Sequence, residues 1–155
     1  MRQLDGFDRK ILANLQKDGR MSITELATHV GLSPTPCAER IRRMERDGVI
    51  TGYHARVDPR ALSLSLLVFV EIKLSAKSGD IFETVKRELQ LIPEVLECHL
   101  VSGDFDYLIK VRIREMSEYR RMLGNVLKRI PASAESRSYV VMEEIKESMC
   151  LPLDR

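Results

Sequence analysis

Arg40, Arg42, Arg43 and Arg46 crowd into the single stretch PTPCAERIRRMER. A guanidinium is a planar fork that can grip two phosphate oxygens or two acceptors on a base edge. Such a run suits a polyanion. The residues that could run a reaction are scattered by contrast. His29, His54 and His99 lie far apart, and no HExxH, GxSxG or phosphate-loop spacing occurs. Cys37, Cys98 and Cys150 form no CxxC pair and read as buried structural thiols of a reducing compartment. Asp104 and Asp106 stand two apart with no acid–base partner in view. No catalytic residue, metal or cofactor is assigned, and the chain is not expected to be an enzyme.

The arginines need a helix to align them. Residues 22–46, SITELATHVGLSPTPCAERIRRMER, read as two short helices about a glycine turn. Ser22 and Glu25 have capping-box spacing, and Gly31 suits the left-handed residue that ends a helix. Ser33 is placed to cap the second helix, with Pro34 and Pro36 in its first turn, where no backbone donor is needed. At about 100° per residue, Cys37, Ile41 and Met44 stack on one side of that helix. Thr35, Glu39, Arg42 and Arg46 fall opposite, with Arg43 beside them. This is helix-turn-helix geometry, in which the start of the second helix reaches base edges. Thr35, Ala38, Glu39 and Arg42 are the groove candidates. Arg40, Arg43 and Arg46 suit phosphates, and Ser33 and Pro36 complete the candidate DNA-binding set. The bland rival is a solvated basic face on an ordinary helix pair.

The totals agree with the first reading. Of 155 residues, 44% are hydrophobic and 31% charged, a globular composition. Residues 1–62 hold 11 Lys/Arg against 8 Asp/Glu, and the remainder holds 14 against 15. The positive excess therefore lies with the candidate motif. Asp5 is placed to cap a further helix carrying Ile11, Leu12 and Leu15. Val49 to Val57 read as a short β-ribbon, the wing of a winged helix, on which His54 and Arg56 either touch phosphate or are merely exposed. The first domain is expected over 1–58, with a linker over 59–65 after Asp58-Pro59. The start, MRQLDGFDRK, has no apolar run of signal-peptide type, and Leu64–Val70 is too short to cross a bilayer, so a cytoplasmic, membrane-free protein is expected.

From residue 66 to 155 the period changes. Val68, Val70, Ile72 and Leu74 alternate with Phe69, Glu71 and Lys73, as in a strand. Gly79-Asp80 opens a helix with Ile81, Phe82, Val85 and Leu89 on one side. Val95–Val101 and Tyr107–Ile113 read as strands about the turn Ser102–Asp106. Ser117 is placed to cap a last helix that Pro131 stops, and Ser138–Ile145 reads as the final strand. The order β-α-β-β-α-β is the ferredoxin-like pattern, giving an α+β chain overall. Both helices cover one face of its sheet. The other face is expected to be apolar enough to demand a second copy.

The segment LSPTPCAERIRRMERDGVITGY, the strand LLVFVEI, the hairpin ECHLVSGDFDYLIK and the terminal YVVMEEIKES together resemble the Lrp/AsnC family of transcription regulators. The resemblance runs from Leu4 to about Pro152. It implies a winged helix-turn-helix that binds double-stranded DNA and a ferredoxin-like domain that takes a small amino acid such as leucine. It also implies dimers that assemble further, often to octamers, as a nucleoid-associated regulator. The ligand would sit between C-terminal domains near the turn after the second strand, here Ser102, Gly103, Asp104, Phe105 and Asp106. Leu100, Met116, Tyr139, Val140 and Val141 join the effector set by position. In physical terms, Gly103 leaves backbone donors open to an α-carboxylate, and Asp104 or Asp106 offers a counter-charge to an α-ammonium. Gly-Asp as a plain hairpin turn is the alternative.

Overall fold

The computed structural model describes residues 3–130 and 134–153. It divides into two units. One comprises the chain up to Arg56 together with the residues from Lys146 onward, and the other spans Val57–Ile145. Residues 57–65 thus belong to the second unit rather than to a linker. The segment from Lys146 belongs to the first unit rather than to the second.

The first unit holds α1 (Gly6–Lys17), α2 (Ile23–Val30) and α3 (Pro34–Arg46). Asp5 caps α1 by accepting the Asp8 N–H, while Asp8 accepts the Asp5 N–H in return. Ser22 Oγ accepts the Glu25 N–H at the start of α2. Gly31 ends α2 at φ 75°, where a Cβ would be strained, and the Leu32 N–H returns to the Ala27 carbonyl. Ile11, Leu26, Ala27, Val30, Cys37, Ile41 and Met44 form the buried core. Ser33 occupies the cap position of α3, but its hydroxyl makes no capping bond.

The expected ribbon does not form, since residues 51–58 carry no regular structure. The Val49 and Ile50 N–H groups both return to the Met44 carbonyl, at 2.8 and 3.1 Å, and their side chains pack on the helical core. These apolar residues close the end of α3 instead of pairing as a strand. Tyr53 then donates its hydroxyl to Glu45 at 3.0 Å. Burial and that carboxylate push the phenol up to about 12. The Leu151 N–H meets Gln16 Oε1 at 2.6 Å, and Gln16 Nε2 returns to the Leu151 carbonyl, which ties the tail to α1.

The second unit opens with a short 3-10 turn, Pro59–Leu62, and holds β1 (Leu66–Leu74), α4 (Gly79–Gln90), β2 (Val95–Leu100), β3 (Tyr107–Ile113), α5 (Met116–Arg129) and β4 (Ala134–Val140). The sheet order is β2-β3-β1-β4, antiparallel throughout. Val68, Val70, Ile72 and Leu74 of β1 and Tyr107, Ile109, Val111 and Ile113 of β3 face α4 and α5. Val85 and Leu89 meet them from α4, and Tyr119, Met122 and Val126 from α5. The last helix starts at Met116 rather than after Ser117, whose hydroxyl donates to Glu115 inside the first turn. Pro131, expected to stop that helix, lies outside the described residues.

Two expectations change here. The final strand runs Ala134–Val140, not Ser138–Ile145. Its partner β1 begins at Leu66, so beyond the bond from the Val141 N–H to the Leu67 carbonyl nothing remains to pair with. The uncovered sheet face is also less apolar than expected. Leu67, Phe69 and Leu108 share it with Glu71, Lys73, Lys110 and Arg112, and Lys110 pairs with Glu97 at 3.0 Å. Of the cysteines only Cys37 is buried, whereas Cys98 and Cys150 are exposed, because each lies on an edge or a tail rather than in a core.

Candidate DNA interface and effector turn

Helix α3 presents the face that its spacing requires. Cys37, Ile41 and Met44 are buried, and Thr35, Glu39, Arg42 and Arg46 are exposed on the opposite side. Ser33 is exposed, and Ala38 and Pro36 are half-buried on the two flanks. Arg46 keeps three quarters of its side chain in solvent, with Asp47 at 3.7 Å.

Arg40 and Arg43 are placed differently from the expectation that they reach phosphate. Both turn toward α1. Arg40 Nη1 lies 2.6 Å from Asp5 Oδ2 and 2.8 Å from Asp8 Oδ1. Arg43 Nη2 straddles both oxygens of Asp8, at 2.7 and 2.6 Å. The Asp8 residue is only 1% exposed. Its carboxylate is one that burial would penalise heavily if it stood alone, and two guanidiniums neutralise it. The Arg40 guanidinium also stacks over the Phe7 ring, 5.4 Å from the centroid. The Asp8 N–H and the Arg40 guanidinium hold the Asp5 carboxyl below its ordinary range. Apolar periodicity gives no sign of Asp8. The signal that was available is the three-residue Asp5–Asp8 spacing at a helix start. Of the ribbon candidates, Arg56 meets Glu147 at 3.5 Å and His54 is exposed.

At the other site, Gly103 sits at φ 143°, in the region that disfavours side chains, with open space where a Cβ would lie. Ser102, Gly103 and Asp104 are exposed and Phe105 is half-buried. Asp106 turns inward. Its carboxylate accepts the Leu74 N–H at 2.8 Å and meets Lys77 Nζ at 2.7 Å. Its own N–H donates to the Ile72 carbonyl, and its carbonyl accepts the Val101 N–H. Asp106 therefore pins the turn to the end of β1, and of the two acids only Asp104 remains open to a ligand ammonium. Lys77 was not expected here, and no spacing in the sequence connects it to the turn.

Burial pushes the Asp106 carboxyl up, but the Lys77 ammonium and the Leu74 N–H outweigh it, so it stays below its ordinary 3.8. A depressed carboxyl stabilises the fold above the unfolded value, and that contribution fades only as pH falls through the lower, folded value. An NMR titration of Asp106 should therefore show a midpoint below 3.8. Lys77→Met should raise it. A midpoint above that value in the parent protein would mean the pair does not form.

The ten effector candidates fall into two sets. Leu100 pairs with Tyr107, which pairs with Ile72, so Leu100 and the turn lie where β1 ends. Val140 pairs with Val68, the Val141 N–H bonds to Leu67, and Met116 follows the end of β3 that faces Leu66. That second set lies where β1 begins. Along the strand the sets are separated by about 13 Å, and β2 is about 14 Å from β4 across the sheet, at ~3.3 Å per residue and ~4.8 Å per strand. One free amino acid cannot touch both sets of one chain.

Among the described residues no group of three or more His, Cys, Asp or Glu is placed to hold a metal, and no helix is long and apolar enough to cross a membrane. Residues 67–151 match the Lrp/AsnC ligand binding domain, and residues 4–51 match a winged helix-turn-helix DNA-binding domain. The leucine-responsive regulatory proteins of Escherichia coli K12 and Salmonella typhimurium LT2 are 56% identical over 147 residues, 95% of this chain and 90% of theirs. An AsnC family transcriptional regulator from Agrobacterium tumefaciens superposes with a TM-score of 0.93 at 37% identity, over 97% of this chain and 98% of that one. A transcriptional regulator from Neisseria meningitidis, solved as an L-Met complex, gives 0.92 at 32% identity over 98% of each chain. With both halves matched in order along nearly its full length, the chain belongs to the Lrp/AsnC family of transcription regulators.

Proposed function

We propose that this regulator reads DNA with the exposed face of α3, and that a small amino acid bound between copies of the chain tunes that reading. The observation carrying the DNA half is the alignment of Thr35, Glu39, Arg42 and Arg46 opposite a buried Cys37–Ile41–Met44 stripe. In this reading Thr35, Ala38, Glu39 and Arg42 meet base edges, while Ser33, Pro36 and Arg46 lie along the backbone. Arg40 and Arg43 hold α3 against α1. A gel-shift series on upstream DNA tests this. Binding should weaken steeply with salt, as counterion release requires. Arg42→Ala should cost about 1–3 kcal/mol on the preferred site and relax the preference at one position. An equal loss on every sequence would reassign Arg42 to phosphate.

The effector half rests on the separation of the two candidate sets. A ligand that needs the Gly103 turn and the Met116–Val140 end must take them from two chains. The relatives whose names and complexes cite leucine and methionine support an amino-acid ligand. Assembly is supported by the chain after β4, where Met142 is fully exposed and Ile145 90% exposed. Apolar side chains held in water on a segment without regular structure favour a covering copy. We infer a dimer that associates further, to an octamer or similar, in the cytoplasm and on the nucleoid. The chemistry is recognition, with no turnover and no cofactor assigned. Calorimetry with leucine, methionine and alanine, run alongside particle-mass measurement, tests this. A monomer that binds none of them would overturn it.

A further inference from the structure

We propose that Asp5 and Asp8 withhold Arg40 and Arg43 from the DNA backbone, so that α3 binds with less phosphate contact, and more dependence on sequence, than its arginine count implies. The proposal rests on α3 being the DNA-reading helix. Arg40 and Arg43 stand three apart and share the flank of α3 that faces α1. Arg42 and Arg46 stand four apart and share the outward face. Nonspecific affinity for DNA comes almost wholly from cations placed on phosphates. The two flank arginines have the reach and charge to add to it. Each is already bound by two carboxylate oxygens through one of its Nη atoms. Arg43 takes both oxygens of Asp8, and Arg40 bridges Asp5 and Asp8. Asp8 is almost wholly enclosed, so an arginine that left it for a phosphate would strand a buried anion. Phe7 shields the Arg40 guanidinium further. The acids act as an internal competitor for phosphate, at positions where the chain needs arginine to join two helices.

Asp5 gives access to the test because half of its side chain is exposed and asparagine caps a helix as well as aspartate does. The full-length protein is titrated with an upstream duplex and with a random duplex across a salt series. Asp5→Asn loosens Arg40. The slope of log K against log salt should then steepen by up to about 0.9 for each copy of α3 on the duplex, the value of one added phosphate contact. Random-duplex affinity should rise several-fold and the specificity ratio should fall. Arg43→Gln should leave the slope where it was, since that guanidinium is already spent. Arg46→Gln, on the outward face, should flatten it by about 0.9 for each copy of α3 on the duplex. Flattening by Arg43→Gln equal to that by Arg46→Gln would overturn the withholding alone. An Asp5→Asn slope and specificity ratio identical to the parent's would overturn the part given to Asp5 and leave Asp8 as the sole holder of Arg40. If Arg46→Gln has no effect, the reading of α3 itself fails, and this proposal with it.

Discussion

Replacing Ile11 by alanine should abolish DNA binding while leaving amino-acid binding in place. Ile11 is wholly buried at the centre of a core that numbers only seven buried hydrophobic residues among the described ones. Truncating a buried isoleucine to alanine costs about 2–5 kcal/mol, through lost transfer energy and the cavity left behind. Domains of this size carry little reserve, because a small chain buries a smaller fraction of its surface than a large one. The second unit has its own core, 14 buried residues among the described ones, and shares none of them with the first. Circular dichroism should therefore show partial loss of helix with the sheet signal retained. Calorimetry should still record ligand heat. A single cooperative melt that removes both signals together would show that the two units stabilise each other more than their separate cores suggest.

Legibility in the sequence followed from how local the cause was. The helices of the first unit were readable because capping residues, the Gly31 stop and one apolar stripe all act within a few residues. The exposed and buried faces of α3 were readable for the same reason. What lay outside reach depended on contacts between distant segments. Arg40 and Arg43 look like phosphate ligands on a helical wheel, and only the packing of α1 shows that Asp8 claims them. The apolar YVVMEEI drew the expected last strand too far along the chain. The strand that forms is more polar, and Glu135 and Arg137 stand opposite Lys73 and Glu71 of β1. Charge complementarity across a ladder leaves no mark on the hydropathy of either strand alone. At the turn after β2, the positive φ of Gly103 was foreshadowed by its residue type, whereas Asp106 could equally have faced solvent or the core. The Lys77 ammonium and the Leu74 N–H place it in the core. The two-set division of the effector candidates follows from strand order, which element order predicts only once the fold class is settled.

That division yields an all-or-none experiment. Gly103→Val should silence the turn, because a β-branched residue at φ 143° is strained while no neighbouring atom obstructs it. Met116→Glu should silence the opposite end by placing a charge where an aliphatic ligand would pack. It should also fold, since Met116 is 42% exposed and an acid suits the first turn of a helix. Each variant alone should bind no amino acid. Coexpressed with different tags and purified as mixed assemblies, the two should recover binding. A site that joins the turn of one copy to the Met116 end of another needs one chain of each kind in a fixed order. Random pairing about a two-fold inside a larger mixed assembly then leaves about a quarter of the sites intact, and a tag-selected dimer about half. Calorimetry should read a ligand stoichiometry near the corresponding fraction of the parent's, at the parent's affinity. Were both sets used by a single chain, no mixture could hold an intact site, and the recovered heat would be zero. A response restored in DNA binding alongside the ligand heat would tie the shared site to the recognition helices. The amino acid would then act by setting how copies of α3 are paired on the duplex.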